Sequence, residues 1–139
     1  PAPFNTVLWR IVLLHDDSYQ EGFYSLLDPV ATPGGDAIRF TRHDRGAELD
    51  AETQSFTKAN RIRFFSKGFY ALSDDGRHIR ITDLRMGQHP FYVFSFRFAE
   101  RTGTLREIAP QRDTQRIPLE AGLRWLWRRA LGQDSVTPQ

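Results

Sequence analysis

The feature that most restricts the fold is the strict alternation over residues 91–100. Tyr92, Phe94, Phe96 and Phe98 fall on one side of an extended chain, against Val93, Ser95 and Arg97 on the other. Side chains of a strand point to opposite faces with period two, so this segment reads as a strand with an aromatic face. Such a row is ordinarily core, although an exposed one would stack nucleic-acid bases. Upstream, Asp74-Asp75-Gly76 separates the extended runs 69–73 and 77–84, a strong hairpin signal. Extended runs are also expected over 6–15, 19–27 and 37–43, with a short returning strand over 104–108. The first of these is apolar on both faces and reads as a central strand covered on both sides.

Helices are expected twice. Residues 48–67 contain no Pro or Gly and precede Gly68, a candidate C-cap, although Thr53, Ser55 and Thr57 weaken the first half. Near the C-terminus, Pro118 suits a first helical turn, and Leu119, Leu123, Leu126, Trp127 and Ala130 recur at helical spacing before Gly132. Such a helix either docks a Leu/Trp stripe on a sheet with its arginines in water, or lies at a membrane interface. Residues 28–36 and 109–116 read as loops. The expected fold class is α+β: a mostly antiparallel twisted sheet of about six strands with a mid-chain helix and a C-terminal helix. Residues 1–132 form one expected domain, with 133–139 a flexible tail.

Composition removes several kinds of chemistry. The absence of cysteine excludes disulfides, thiol catalysis and Cys-based zinc sites. No serine lies in a Gly-x-Ser-x-Gly turn, and no Gly-rich phosphate loop follows a strand. No apolar run reaches the roughly 18–20 residues of a membrane span. A net charge of +2, with acids and bases interspersed, does not make the lopsided patch of a nucleic-acid binder. Nearly all the bases are arginine, which pairs well with carboxylates and phosphates.

Two polar groupings stand out. In the run 78–85, Ile79, Ile81, Asp83 and Arg85 share one face, so Asp83 continues an apolar row and needs a partner if buried. Arg10, Arg85 or a loop N–H could serve. Arg10, Asp83 and Arg85 are therefore the candidate polar cluster, either an anion site or, as expected here, an ion pair anchoring the turn over 86–90. His15, His43 and His89 each lie beside or near carboxylates and are the first residues to consider as metal ligands. No His-Glu-x-x-His spacing occurs, and no metal site is expected within the chain.

Several stretches together resemble a known family. They are Phe4-Asn5-Thr6 through Leu8-Trp9-Arg10, Tyr24-Ser25-Leu26-Leu27-Asp28, Phe65-Ser66-Lys67-Gly68-Phe69-Tyr70, Asp83-Leu84-Arg85-Met86-Gly87 with Pro90, Tyr92-Val93-Phe94-Ser95-Phe96, and Trp125-Leu126-Trp127-Arg128-Arg129. In this order they resemble the C-terminal soluble part of the bacterial membrane-bound metal-dependent hydrolases. The resemblance implies transmembrane segments ahead of this domain, carrying the histidines and acids of any divalent-metal centre. It implies no metal ligand or other cofactor among the residues here. It also implies attachment to the bacterial inner membrane, and the arginine bias fits the cytoplasmic face. The expected function is an extramembrane domain that shapes access to a membrane-embedded site, or binds a substrate or protein partner. The alternatives are a free-standing ligand- or protein-binding module and, less favoured, arginine-mediated nucleic-acid binding.

Overall fold

A computed structural model describes residues 6–29, 38–113 and 119–133. The fold is α+β and its sheets are antiparallel. In chain order the elements are β1 (Leu8–Leu14), β2 (Ser18–Ser25), β3 (Phe40–Asp44), α1 (Ala47–Glu52), α2 (Thr57–Ser66), β4 (Tyr70–Asp74) and β5 (His78–Asp83). Then come β6 (Gly87–Gln88), β7 (Phe91–Tyr92), β8 (Ser95–Thr102), β9 (Thr104–Arg112) and α3 (Leu119–Ala130). The strands divide among a three-stranded sheet, a four-stranded sheet and a small two-stranded ribbon. The described residues group into two compact units. The first draws on 6–13, 20–29, 38–43 and 119–133, the second on 14–19 and 44–113.

The first unit holds most of the sheet β1-β2-β3. The central position belongs to β2, so β1 is an edge strand among the described residues, not the doubly covered strand its apolar faces suggested. Trp9 and Leu13 are accordingly exposed. Gly22 on β2 lets Ile38 and Phe40 pack closely over the strand, since a Cβ built there would clash at 2.8 Å with side-chain carbons of both. The predicted face of α3 is rotated. Trp125 and Ala130 are buried, while Leu123 and Trp127 are exposed. Trp125 meets Phe23 edge-on at 4.8 Å, a long-range ring contact that the leucine spacing does not reveal. Pro118 and residues 134–139 of the expected tail lie outside the described residues, as do 30–36 of the first loop, 37 of the strand after it and 114–116 of the second loop.

The second unit is built on the sheet β4-β5-β8-β9. The predicted hairpin is present, pairing Asp74 with Ile79. Its turn is tied by the Asp75 carboxylate, which accepts from the Arg77 and His78 N–H groups at 3.0 and 2.7 Å. Ile79 and Ile81 of β5, Leu72 and Tyr70 of β4, and Phe98 and Ala99 of β8 join Ala59 of α2 in the core. Each large apolar side chain buried there contributes about 1.5–3 kcal/mol.

Three expectations are corrected in this unit. The aromatic strand is interrupted at Val93 and Phe94, and a register shift between Arg97 and Ala99 makes Phe98 and Ala99 consecutively buried. The region 109–112 is strand rather than loop, because pairing of Arg97 with Gln111 and Phe96 with Arg112 overrides weak local preference. The mid-chain helix divides at residues 53–56, and Lys67, not Gly68, is the left-handed C-cap. Thr53 turns its hydroxyl back to the Leu49 carbonyl at 2.7 Å, a local bond that competes with helix continuation.

Candidate functional site

Asp83 ends the buried row of β5 as the alternation predicts. Ile79 and Ile81 are fully buried, and Asp83 is 2% exposed. Its carboxylate accepts from the Arg85 backbone N–H at 2.9 Å, from Nε at 3.0 and 3.2 Å, and from Nη2 at 2.6 Å. The Arg85 guanidinium lies over the Phe65 ring at 5.1 Å. Hydrogen bonding to Asp83 pushes the Arg85 pKa up. The hydrogen-bonding capacity of this carboxylate is thus committed to one arginine. The pair pins the strand end where the chain leaves for β6 and β7, which are joined through a cis His89–Pro90 peptide.

Arg10 has a different partner. Its Nε pairs with Glu21 on β2, in the first unit, whereas Asp83 and Arg85 belong to the second. The other Glu21 oxygen lies 4.0 Å from His43 Nε2 on β3. Glu21 is 5% exposed, so this strand-to-strand cluster lies in a dry environment. Sequence reasoning did not single out Glu21, although the signal was present. Tyr19, Glu21 and Phe23 alternate, so Glu21 interrupts an apolar row as Asp83 does.

The three candidate histidines do not converge. His43 stands by Glu21. His89 Nδ1 is 3.4 Å from the Tyr19 hydroxyl, which is 3.1 Å from that of Tyr92. The His15 main chain receives Arg45 Nη1 on its carbonyl at 3.0 Å and donates its N–H to Ser18 at 2.9 Å. Among the described residues no group of three or more His, Asp or Glu side chains could hold a metal ion.

A shallow recess was also unforeseen. It has a volume of about 110 Å³, lies in the second unit and is lined by Asp16, Arg45, Ala47, Asp50, Ala51, Gln54 and Tyr70. Two guanidinium groups lie near the Tyr70 ring, Arg45 at 5.0 Å and Arg63 at 5.8 Å from its centre. Its hydroxyl donates to Asp50, 3.0 Å from each carboxylate oxygen, and Arg63 Nε reaches Asp50 Oδ1 at 2.8 Å. Burial, and then the Asp50 carboxylate, push the Tyr70 phenol above its ordinary range. Arg45 crosses the recess, its Nε and Nη2 donating to the Tyr70 and Gly68 carbonyls at 3.1 and 2.8 Å. The upward shift favours the Tyr70 phenol in its protonated form. The recess has room for small polar groups beside Asp16 and Asp50.

Of the aromatic row, Phe98 is buried and Phe96 packs on the core, while Tyr92 and Phe94 are half-buried. Among the described residues no helix is long and apolar enough to cross a membrane. Large apolar side chains do stand in solvent, most prominently Phe64 at 88% and Phe65 at 63% exposure. Comparison with protein-family models, with curated proteins and with solved structures finds no match to this chain.

Proposed function

We propose that this chain is the extramembrane domain of a bacterial membrane protein of the metal-dependent hydrolase kind, and that it acts as a binding module without its own reaction centre. One observation carries the non-catalytic part. The dry carboxylates Glu21 and Asp83, and the nearly dry Asp28, are each neutralised by an arginine of the chain itself. Hydrolysis needs an acid, base or metal-bound water that is not already consumed by a structural pair. The membrane part rests on the resemblance of the segments from Phe4 to Arg129. In this reading any divalent metal belongs to the transmembrane part, at the inner membrane, with the domain on the cytoplasmic side. A second reading, capture of a small polar ligand, draws on the recess beside Asp16 and Asp50.

Two measurements test the proposal. The purified chain should carry no stoichiometric metal by elemental analysis and should hydrolyse neither phosphoester nor amide panels. Turnover that is lost on chelation would overturn the non-catalytic part. The natural full-length product, followed with an antibody to this domain, should stay in the membrane fraction after alkaline carbonate extraction. Its release into the supernatant would overturn the membrane part.

A further inference from the structure

We infer that the outer face of α2 and its C-terminal turn form a docking surface for an anionic lipid bilayer. The inner side of α2 is committed to the core through Ala59 and Ile62. Opposite it, Lys58, Arg61, Phe64 and Phe65 are exposed at a spacing of three and four, and Lys67 and Phe69 continue the exposed surface past the helix end. Phe64 is 88% and Phe65 63% exposed, the two highest values among the exposed large apolar residues described. Met86 is exposed as well, next to the Arg85 whose guanidinium covers the Phe65 ring at 5.1 Å.

Charge decides the occupant. No Asp or Glu occurs between Glu52 and Asp74, while Lys58, Arg61, Arg63 and Lys67 all fall in that interval. Arg63 is turned inward onto Asp50, Asn60 and Thr53. Among the described residues no ion pair or side-chain hydrogen bond engages the charged ends of Lys58, Arg61 or Lys67. Arg85 is neutralised by Asp83 and adds a platform rather than a charge. The nearby carboxylate of Glu107 caps the Lys58 backbone N–H at 2.6 Å, at the opposite end of the helix from the phenylalanines. Protruding aromatics ringed by cations match the layering of a bilayer surface, with rings at the acyl boundary and cations at the phosphates. A protein interface would call for a broader, complementary apolar area.

The inference deepens the proposed membrane setting and rests on it for the presence of a bilayer in the cell. Carbonate extraction tests the tether, and vesicle binding tests this surface on the free chain, so the two can fail separately. The experiment is co-sedimentation of the purified chain with vesicles of phosphatidylcholine alone, or mixed with phosphatidylglycerol, at low and high salt. The chain should partition onto the mixed vesicles, in a salt-sensitive way, and not onto phosphatidylcholine alone. Phe64→Ser with Phe65→Ser should weaken partition on the order of tenfold per ring. Arg61→Gln and Lys67→Gln should each weaken it about fivefold. Leu26→Ser, at an exposed leucine of the other unit, should leave it unchanged, and circular dichroism should show every variant folded. Absence of partition onto the mixed vesicles overturns the inference, as does partition that survives loss of both phenylalanines. A concentration-dependent dimer abolished by the Phe64/Phe65 variant, without vesicle binding, would assign the surface to a second copy and overturn it too.

Discussion

Replacing Arg129 by Met should markedly destabilise the first unit. The guanidinium reaches the Asp28 carboxylate at 2.5 and 2.8 Å and the Phe23 carbonyl at 2.6 Å. Asp28 also accepts the Ser25 N–H at 2.8 Å, and the Ser25 hydroxyl donates to the Ala130 carbonyl at 2.5 Å. The end of α3 is thus fastened to the end of β2 through one connected network. Methionine keeps the stem and the helix preference but leaves Asp28 with a single backbone donor. Breaking a fully buried pair costs about 3–5 kcal/mol, and an exposed pair about 0–1. The side chains here are 11% and 13% exposed, near the buried limit. Discounted for that residual solvent, the loss should be about 2–4 kcal/mol.

The assay is urea unfolding followed by tryptophan emission. Trp9, Trp125 and Trp127 are the only tryptophans and all lie in the first unit, so emission reports that unit. The pH dependence supplies an independent check. Arg129 holds the Asp28 carboxyl below the ordinary carboxylate range, chiefly by hydrogen bonding. A carboxyl with a depressed folded-state pKa contributes stability that is full above its unfolded value, about pH 4, and is lost as pH falls through the folded value. The gap between wild type and Arg129→Met should therefore narrow below about pH 4. Adding Asp28→Asn to Arg129→Met should cost less than the sum of the single changes. A variant within about 0.5 kcal/mol of wild type at pH 7, or a gap that widens on acidification, would refute the reasoning.

Three further outcomes are expected. Phe98→Ala empties the centre of the second unit's core and should cost about 3–5 kcal/mol, read from thermal unfolding by circular dichroism. Gly46→Ala should cost about 2–3 kcal/mol by the same measurement, because φ is 76° there and the new Cβ would lie 2.5 Å from the Leu72 carbonyl oxygen. In an alkaline absorbance titration one phenol should ionise above the usual tyrosine range and vanish in Tyr70→Phe. Since the folded value is raised, the stability this phenol supplies is full below about pH 10 and lost as pH climbs past it.

Local grammar carried the second unit's framework. The Asp74-Asp75-Gly76 turn and the alternation of Ile79, Ile81 and Asp83 each depend on residues within a few positions of one another, so they are readable before anything is folded. The misreadings share a physical origin. The strand reaching Arg112 exists because of Arg97 and Phe96 upstream in β8, and the rotated face of α3 is set by Phe23 and Asp28 far back in the chain. The division of the mid-chain helix lies between these cases. The weakness of Thr53 was visible, but its place in the break also depends on Arg63, whose Nη1 and Nη2 bond its carbonyl and hydroxyl at 3.2 and 2.7 Å.

The polar clusters divide along the same line. Asp83 found its arginine two residues away, so burial and partner could be read from one stretch. Glu21 interrupts its strand in the same way, yet Arg10 and His43 come from the strands on either side of it, and only sheet register aligns them. Periodicity thus shows that a buried charge must have a partner, while topology chooses which one. The same logic bears on exposed side chains. Phe64 and Phe65 end α2 just before the αL turn at Lys67, and the inward commitment of Ala59 and Ile62 leaves them outside. An apolar pair left out of a core that already closes without it is free to serve a surface, and the basic residues beside it define the sign of that surface.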